Sequence, residues 1–244
     1  MRTSNPTLND NTFRGEGIAL GEPMTLTGTV NKTGILLLLA MGSAAWSWNL
    51  TTRSPEQALG LAIAGLIGGL IFALVTTFKK SWAPVTAPIY ALAEGLVLGC
   101  LSEIFDKRYP GMVIAAVTLT FGTLLALLVL YRARVIQVTD KFRLGVVAAT
   151  GGIAFFYLLT FILGFFGIRF SAIYGSGLIG IGFSIFVVII AALNLVLDFD
   201  FIETGADVGA PKYMEWYGGF ALLVTLVWLY LEILRLLAKM RGRR

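Results

Sequence analysis

No histidine occurs in the 244 residues, and cysteine occurs once. The first absence excludes a Ser-His-Asp triad and a His-ligated metal site; the second excludes a disulfide within the chain. Charge is scarce as well. Asp, Glu, Lys and Arg make up 14% of the chain, where a soluble domain carries about 25%. The single Cys100 follows Gly99 in an apolar stretch and reads as a small packing residue.

What fills the chain instead is apolar side chain, 57% of all residues. It comes in blocks of about twenty, the length a helix needs to cross a bilayer core. The expected fold is all-α: a seven-transmembrane-helix bundle with spans near 33–50, 56–78, 83–105, 111–131, 144–167, 173–198 and 213–238. Residues 1–31 read as a flexible polar N-terminal tail, 32–240 as the membrane domain and 241–244 as a basic C-terminal tail. The tail lacks the apolar core of a cleaved signal, so the first span acts as an uncleaved signal anchor. Ser54, with Pro55 and Gln57 behind it, has the spacing of a capping box for the second helix.

The net charge of +5 does not point to nucleic acid. The basic residues sit in short loops, where they set orientation, and at the C-terminus, where Arg235, Lys239, Arg241, Arg243 and Arg244 read as a helix-end anchor beside the headgroups. Lys79, Lys80, Arg132, Arg134, Lys141, Arg143 and Lys212 lie on the side of the N-terminus; Arg53, Lys107, Arg108 and Arg169 lie opposite. Seven against four places the N-terminus in the cytoplasm, although the basic tail argues the other way. Gly65 and Gly69 have GxxxG spacing, which lets helix backbones approach in lipid. Packing inside one bundle is favoured there over a dimer seam.

Acids at membrane depth are costly and tend to mark a cavity, a partner or an ion path. Glu94 lies near the middle of the third span. Asp198 closes the sixth, with Asn194 one turn earlier on the same face; Asp200 and Glu203 follow and read as solvated loop residues. Glu215 opens the seventh span, where an acid suits the first turn of its helix, and Glu232 nears its far end, three residues before Arg235. A short loop makes the last two helices antiparallel neighbours, so Asp198 and Glu215 should lie near one face, with Glu232 about 25 Å further along. Two buried carboxylates within hydrogen-bond reach cannot both ionise cheaply and titrate as a pair sharing one proton. Protonated, such a pair clips two helices together; ionised, it repels them.

Three stretches carry a resemblance. Pro88-Ile89-Tyr90-Ala91-Leu92-Ala93-Glu94-Gly95-Leu96-Val97-Leu98-Gly99 resembles the third helix of the Bax inhibitor family, the transmembrane Bax inhibitor motif proteins. Leu195-Val196-Leu197-Asp198-Phe199 resembles its sixth-helix aspartate motif, and Trp228-Leu229-Tyr230-Leu231-Glu232-Ile233-Leu234-Arg235-Leu236-Leu237 its last-helix motif. The resemblance covers about residues 33–240 and looks like a bacterial branch, which implies a bacterial inner membrane. It implies a bundle with the last helix central, and a pH-sensitive calcium leak controlled by an acid pair from the last two helices. It also implies a basic lock residue on the second helix, for which Lys79 is the nearest match. The chain departs from the pattern in having Glu for Asp on the last helix, and Tyr213-Met214-Glu215 repeats the spacing of Tyr230-Leu231-Glu232. The motif favours Glu232 as the mate of Asp198; the antiparallel geometry favours Glu215.

The leading expectation is therefore a pH-gated cation leak with no cofactor. Ca²⁺ would be the permeant ion, and Asp198, Glu215 and Glu94 its possible oxygen ligands. An alternative of another class is a non-conducting membrane regulator that binds a membrane protease or another membrane protein. Its motives are the polar tail and the small residues on helix faces. Enzyme activity is not expected: no Gly-x-Gly-Asp motif accompanies the acids.

Overall fold

The computed structural model describes residues 22–167 and 171–242. Helix follows helix, and among these residues the one β feature is a backbone bridge between Pro23 and Pro211. Seven helices are long and apolar enough to cross a membrane. They are α1 (Leu26–Arg53), α2 (Pro55–Phe78), α3 (Ala83–Arg108), α4 (Met112–Arg132), α5 (Asp140–Phe165), α6 (Leu178–Asp207) and α7 (Met214–Arg241). A 3₁₀ turn, Lys80–Trp82, leads into α3, and a single α-turn, Ser171–Tyr174, precedes α6. The chain is an all-α integral membrane protein, and α7 is the most buried of its spans.

Local chemistry shifts several boundaries from their expected places. Residues 26–31, read from sequence as tail, are the first turns of α1, because Thr25 caps them by accepting from the Gly28 N–H at 2.9 Å. The tail's residues 1–21, Arg169, and Arg243 and Arg244 lie outside the described residues. Ser54 stands at the start of α2 but forms no side-chain cap. It also closes α1, donating its N–H to Leu50 O at 2.7 Å, and its backbone serves both ends at once. The sixth helix does not stop at Asp198. Phe199, Phe201 and Ile202 are buried and carry its apolar face onward. It ends at Gly209 in the left-handed region, φ 68°. There the Ala210 N–H reaches Gly205 O, and the Gly209 N–H reaches Ala206 O, the paired bonds of a Schellman motif. Asp200 and Glu203 are thus half-buried helix residues and not loop residues.

The chain divides into two compact units. The described part of the first holds 22–110 and 200–224. In it α3 packs against both α1 and α2. The α1 contact is backbone-close: a Cβ built on Gly95 would overlap Ala40 O and Ser43 Oγ, and one on Gly99 would overlap Ala44 O. Ser47 Oγ crosses the same seam to donate to Leu96 O at 2.7 Å. On α2, Gly65 and Gly69 are buried, and a Cβ on Gly65 would stand 2.7 Å from Ala93 O. The GxxxG pair therefore faces α3 of the same chain. Tyr90 and Phe220 meet edge-on, 5.0 Å between ring centroids.

The second unit comprises Gly111–Phe199 and, within the described residues, 225–242. Its core gathers Ile153 of α5 with Val187 and Ile190 of α6, and Phe183, Tyr157 and Trp228 pack on it. Large apolar side chains such as Phe155, Phe161, Ile179 and Ile189 point outward, as they do where lipid replaces water.

Candidate functional site

The acids expected to matter fall into two settings, one in each unit. In the first unit, Glu215 is 1% exposed in the first turn of α7. It stands where the dipole of its own helix favours an acid, but its hydrogen bonds reach beyond that helix. It accepts from Thr25 N and Thr25 Oγ1, both at 3.0 Å, and from Lys212 Nζ at 3.2 Å. Thr25 is the N-cap of α1, so the carboxylate sits at the positive end of a different helix. The fit leaves no room for a side chain on Gly28, whose Cβ would overlap the carboxyl group. Lys212, in the loop between α6 and α7, also lies 3.6 Å from Glu22. Its hydrogen bond to Glu215 raises the Lys212 ammonium above its ordinary range, against a smaller opposing effect of desolvation.

Glu94 is half-buried on α3, with Oε2 3.4 Å from where a Cβ of Gly69 would lie, and it makes no hydrogen bond or ion pair among the described residues. Lys79 is exposed at the end of α2, its Nζ 4.6 Å from the Trp82 ring centroid. Glu103, not singled out from sequence, is 3% exposed and pairs with Lys107 Nζ at 2.7 Å.

The second unit holds a polar stripe. Asp198 is completely buried on α6, and its Oδ2 accepts a 2.6 Å hydrogen bond from Thr225 Oγ1 of α7. It is a short O–H···O bond that joins the two helices. One turn earlier, Asn194 Nδ2 donates to Thr150 Oγ1 of α5 and to Ile190 O, both at 2.8 Å. Seven residues past Thr225, Glu232 is 2% exposed. Its Oε1 accepts from Tyr157 OH at 3.0 Å and from Arg235 Nη1 at 2.7 Å. The same Nη1 donates to Tyr157 OH at 2.8 Å, so the three groups close a triangle. Glu232 Oε2 is buried with no hydrogen-bond partner among the described residues. Seven residues on again, Lys239 is 7% exposed. Its ammonium donates to Ile173 O at 2.8 Å, Ser184 Oγ at 2.9 Å and Gly180 O at 3.1 Å.

Thr225, Glu232 and Lys239 recur every seven residues, near two helical turns, and so share one face of α7 about 10 Å apart along its axis. Asp198 and Glu232 reach this face through different partners and do not hydrogen-bond each other. Sequence reading placed Asp198, Asn194 and Glu232 among the candidates. It missed Tyr157, Thr225 and Lys239, although the heptad spacing of the α7 residues was there to be read.

A seven-helix membrane fold with buried acids on its last two helices defines the class. A family model described as Bax inhibitor 1 like matches residues 5–242, and the chain belongs to that family. Neither the curated proteins nor the solved structures yield a match to it.

Proposed function

We propose that this protein is a pH-sensitive cation leak, with Ca²⁺ as the permeant ion, in a bacterial inner membrane with its N-terminus in the cytoplasm. The observation that carries the reading is Asp198: a carboxylate of complete burial, on a membrane helix, bonded to a hydroxyl of the next helix. Membership of the Bax inhibitor 1 like family supports it, as does the excess of Lys and Arg in loops on the N-terminal side. We assign the second acid role to Glu232 over Glu215. Glu215 already takes three donors, two of them at a helix N-terminus. Glu232 keeps one buried oxygen able to take a proton without breaking any bond. Ionisation then loosens the contacts of α7 with α5 and α6, and protonation tightens them.

The test is calcium entry into liposomes carrying a trapped dye, with the purified protein in the membrane and pH varied. Flux should rise with pH. Asp198→Asn, which stays neutral, should flatten the profile at the low level. A flux absent at every pH, or a profile that Asp198→Asn leaves intact, refutes the reading.

A further inference from the structure

Lys239 stands apart from the acids. A buried lysine normally meets a carboxylate, and a lysine near the end of a membrane helix normally extends its ammonium to water or headgroups. This one does neither. Its three N–H groups point at three oxygens, two backbone carbonyls and one hydroxyl, at 2.8, 3.1 and 2.9 Å. An ammonium has three donors and no acceptor, so its hydrogen-bonding capacity is fully used by neutral oxygen.

The oxygens are available for a structural reason. Chain bends at 175–177 separate the turn Ser171–Tyr174 from α6, and Gly175, Ser176 and Gly177 fill the break. Ile173 O lies in the last turn before the break, where helix carbonyls lose their amide partners. Gly180 O lies in the first turn of α6, where a carbonyl keeps its helical amide and offers its second lone pair, and Ser184 Oγ sits one turn further on the same face, itself 1% exposed. Neutral oxygens converging on one buried point, backbone carbonyls foremost, are how membrane proteins replace the hydration shell of a monovalent cation. Divalent cations, in contrast, take carboxylates, and none is among these donors.

We propose that Ile173 O, Gly180 O and Ser184 Oγ form a monovalent-cation subsite that the protein fills with its own tethered ammonium, Lys239. The side chain stands in for a bound potassium or ammonium ion. Removing it leaves an oxygen cage that a free ion of that class enters. The subsite does not depend on Ca²⁺ conduction, and its test reads binding instead of flux.

The experiment compares the wild-type chain with Lys239→Ala in detergent, by thermal unfolding in choline chloride titrated with potassium chloride or methylammonium chloride. The wild type, its subsite occupied, should respond to neither cation. Lys239→Ala should melt lower in choline and be restored saturably, by about 3–6 °C at ten times the apparent Kd. Methylammonium should outdo potassium, because it also replaces the lost N–H donors. In Lys239→Met, the apolar side chain fills the space, and restoration should be absent. If Lys239→Ala is not recovered folded in choline, extraction in methylammonium chloride should recover it. Restoration equal to that of the wild type, equal restoration of Lys239→Met, or failure of recovery in methylammonium would each overturn the assignment. If Lys239→Ala responds to the ions but liposomes show no calcium flux, the leak reading falls and the subsite stands.

Discussion

Thr225→Val removes one hydroxyl and keeps the shape of the side chain. In the native protein that hydroxyl donates to Asp198 Oδ2 across 2.6 Å, with Asp198 completely buried and Thr225 4% exposed. A hydrogen bond to a charged group contributes about 1.5–3 kcal/mol net. In a chain of this length each kcal/mol moves the melting temperature by about 2–4 °C. Thr225→Val should therefore melt about 3–12 °C lower, while Thr225→Ser, which keeps the donor, should lose far less. The assay is thermal unfolding of the detergent-purified protein, run as a double-mutant cycle with Asp198→Asn. An amide oxygen still accepts but carries no charge, so the Thr225→Val penalty should shrink to about 1 kcal/mol in the Asp198→Asn background. Equal losses for Val and Ser would mean that packing and not the bond sets the cost. A penalty unchanged by Asp198→Asn would mean that Thr225 acts through some other neighbour. Either result refutes the reasoning.

Two more predictions come from the first unit. Gly28→Ala drives a methyl group into the Glu215 carboxyl, so it should lower stability by about 1–3 kcal/mol; a melting temperature equal to that of the wild type would show that Glu215 has another seat. The raised Lys212 ammonium sets a sign for pH dependence. Its folded value lies above the ordinary 10.5, so the contribution of its pairing with Glu215 is complete below pH 10.5 and is lost as pH climbs through the folded value. Lys212→Met should remove that alkaline loss from a stability-against-pH series; an identical alkaline limb in the variant would contradict it.

Length and composition made the seven spans legible, because bilayer thickness fixes how long an apolar run must be. Burial of Asp198 was legible for the same reason: an acid beside Leu195, Val196 and Leu197 has nowhere else to go. The setting of Glu215 was not. Its partner Thr25 lies 190 residues away, and local reading could see only a first-turn acid suited to its own helix. The end of α6 was misjudged because two acids looked like the start of a loop. The apolar residues between and after them, and Gly209, decide it otherwise. By sequence Lys239 is one of five basic residues near the C-terminus, with nothing to set it apart from an interfacial anchor. One of the oxygens that hold it, Ile173 O, is left open by the chain break at 175–177, which side-chain polarity does not announce.

The contrast between Glu232 and Lys239 bears on how the stripe on α7 can change state. Lys239 is coordinated to capacity, so moving it breaks three bonds together. Arg235 closes the triangle with Tyr157 and Glu232 while its side chain stays 41% exposed, so it can exchange protein contacts for water. Glu232 accepts from Tyr157 and Arg235 on one oxygen and holds the other in reserve. A proton arriving at Oε2 therefore disturbs no existing contact. The Tyr157 ring also meets Phe183 of α6 at 6.3 Å, so the triangle is anchored on both neighbouring helices of the unit. The lysine thus fixes one end of the stripe with three bonds, and the arginine, partly in water, is the member of the triangle that can exchange its partners.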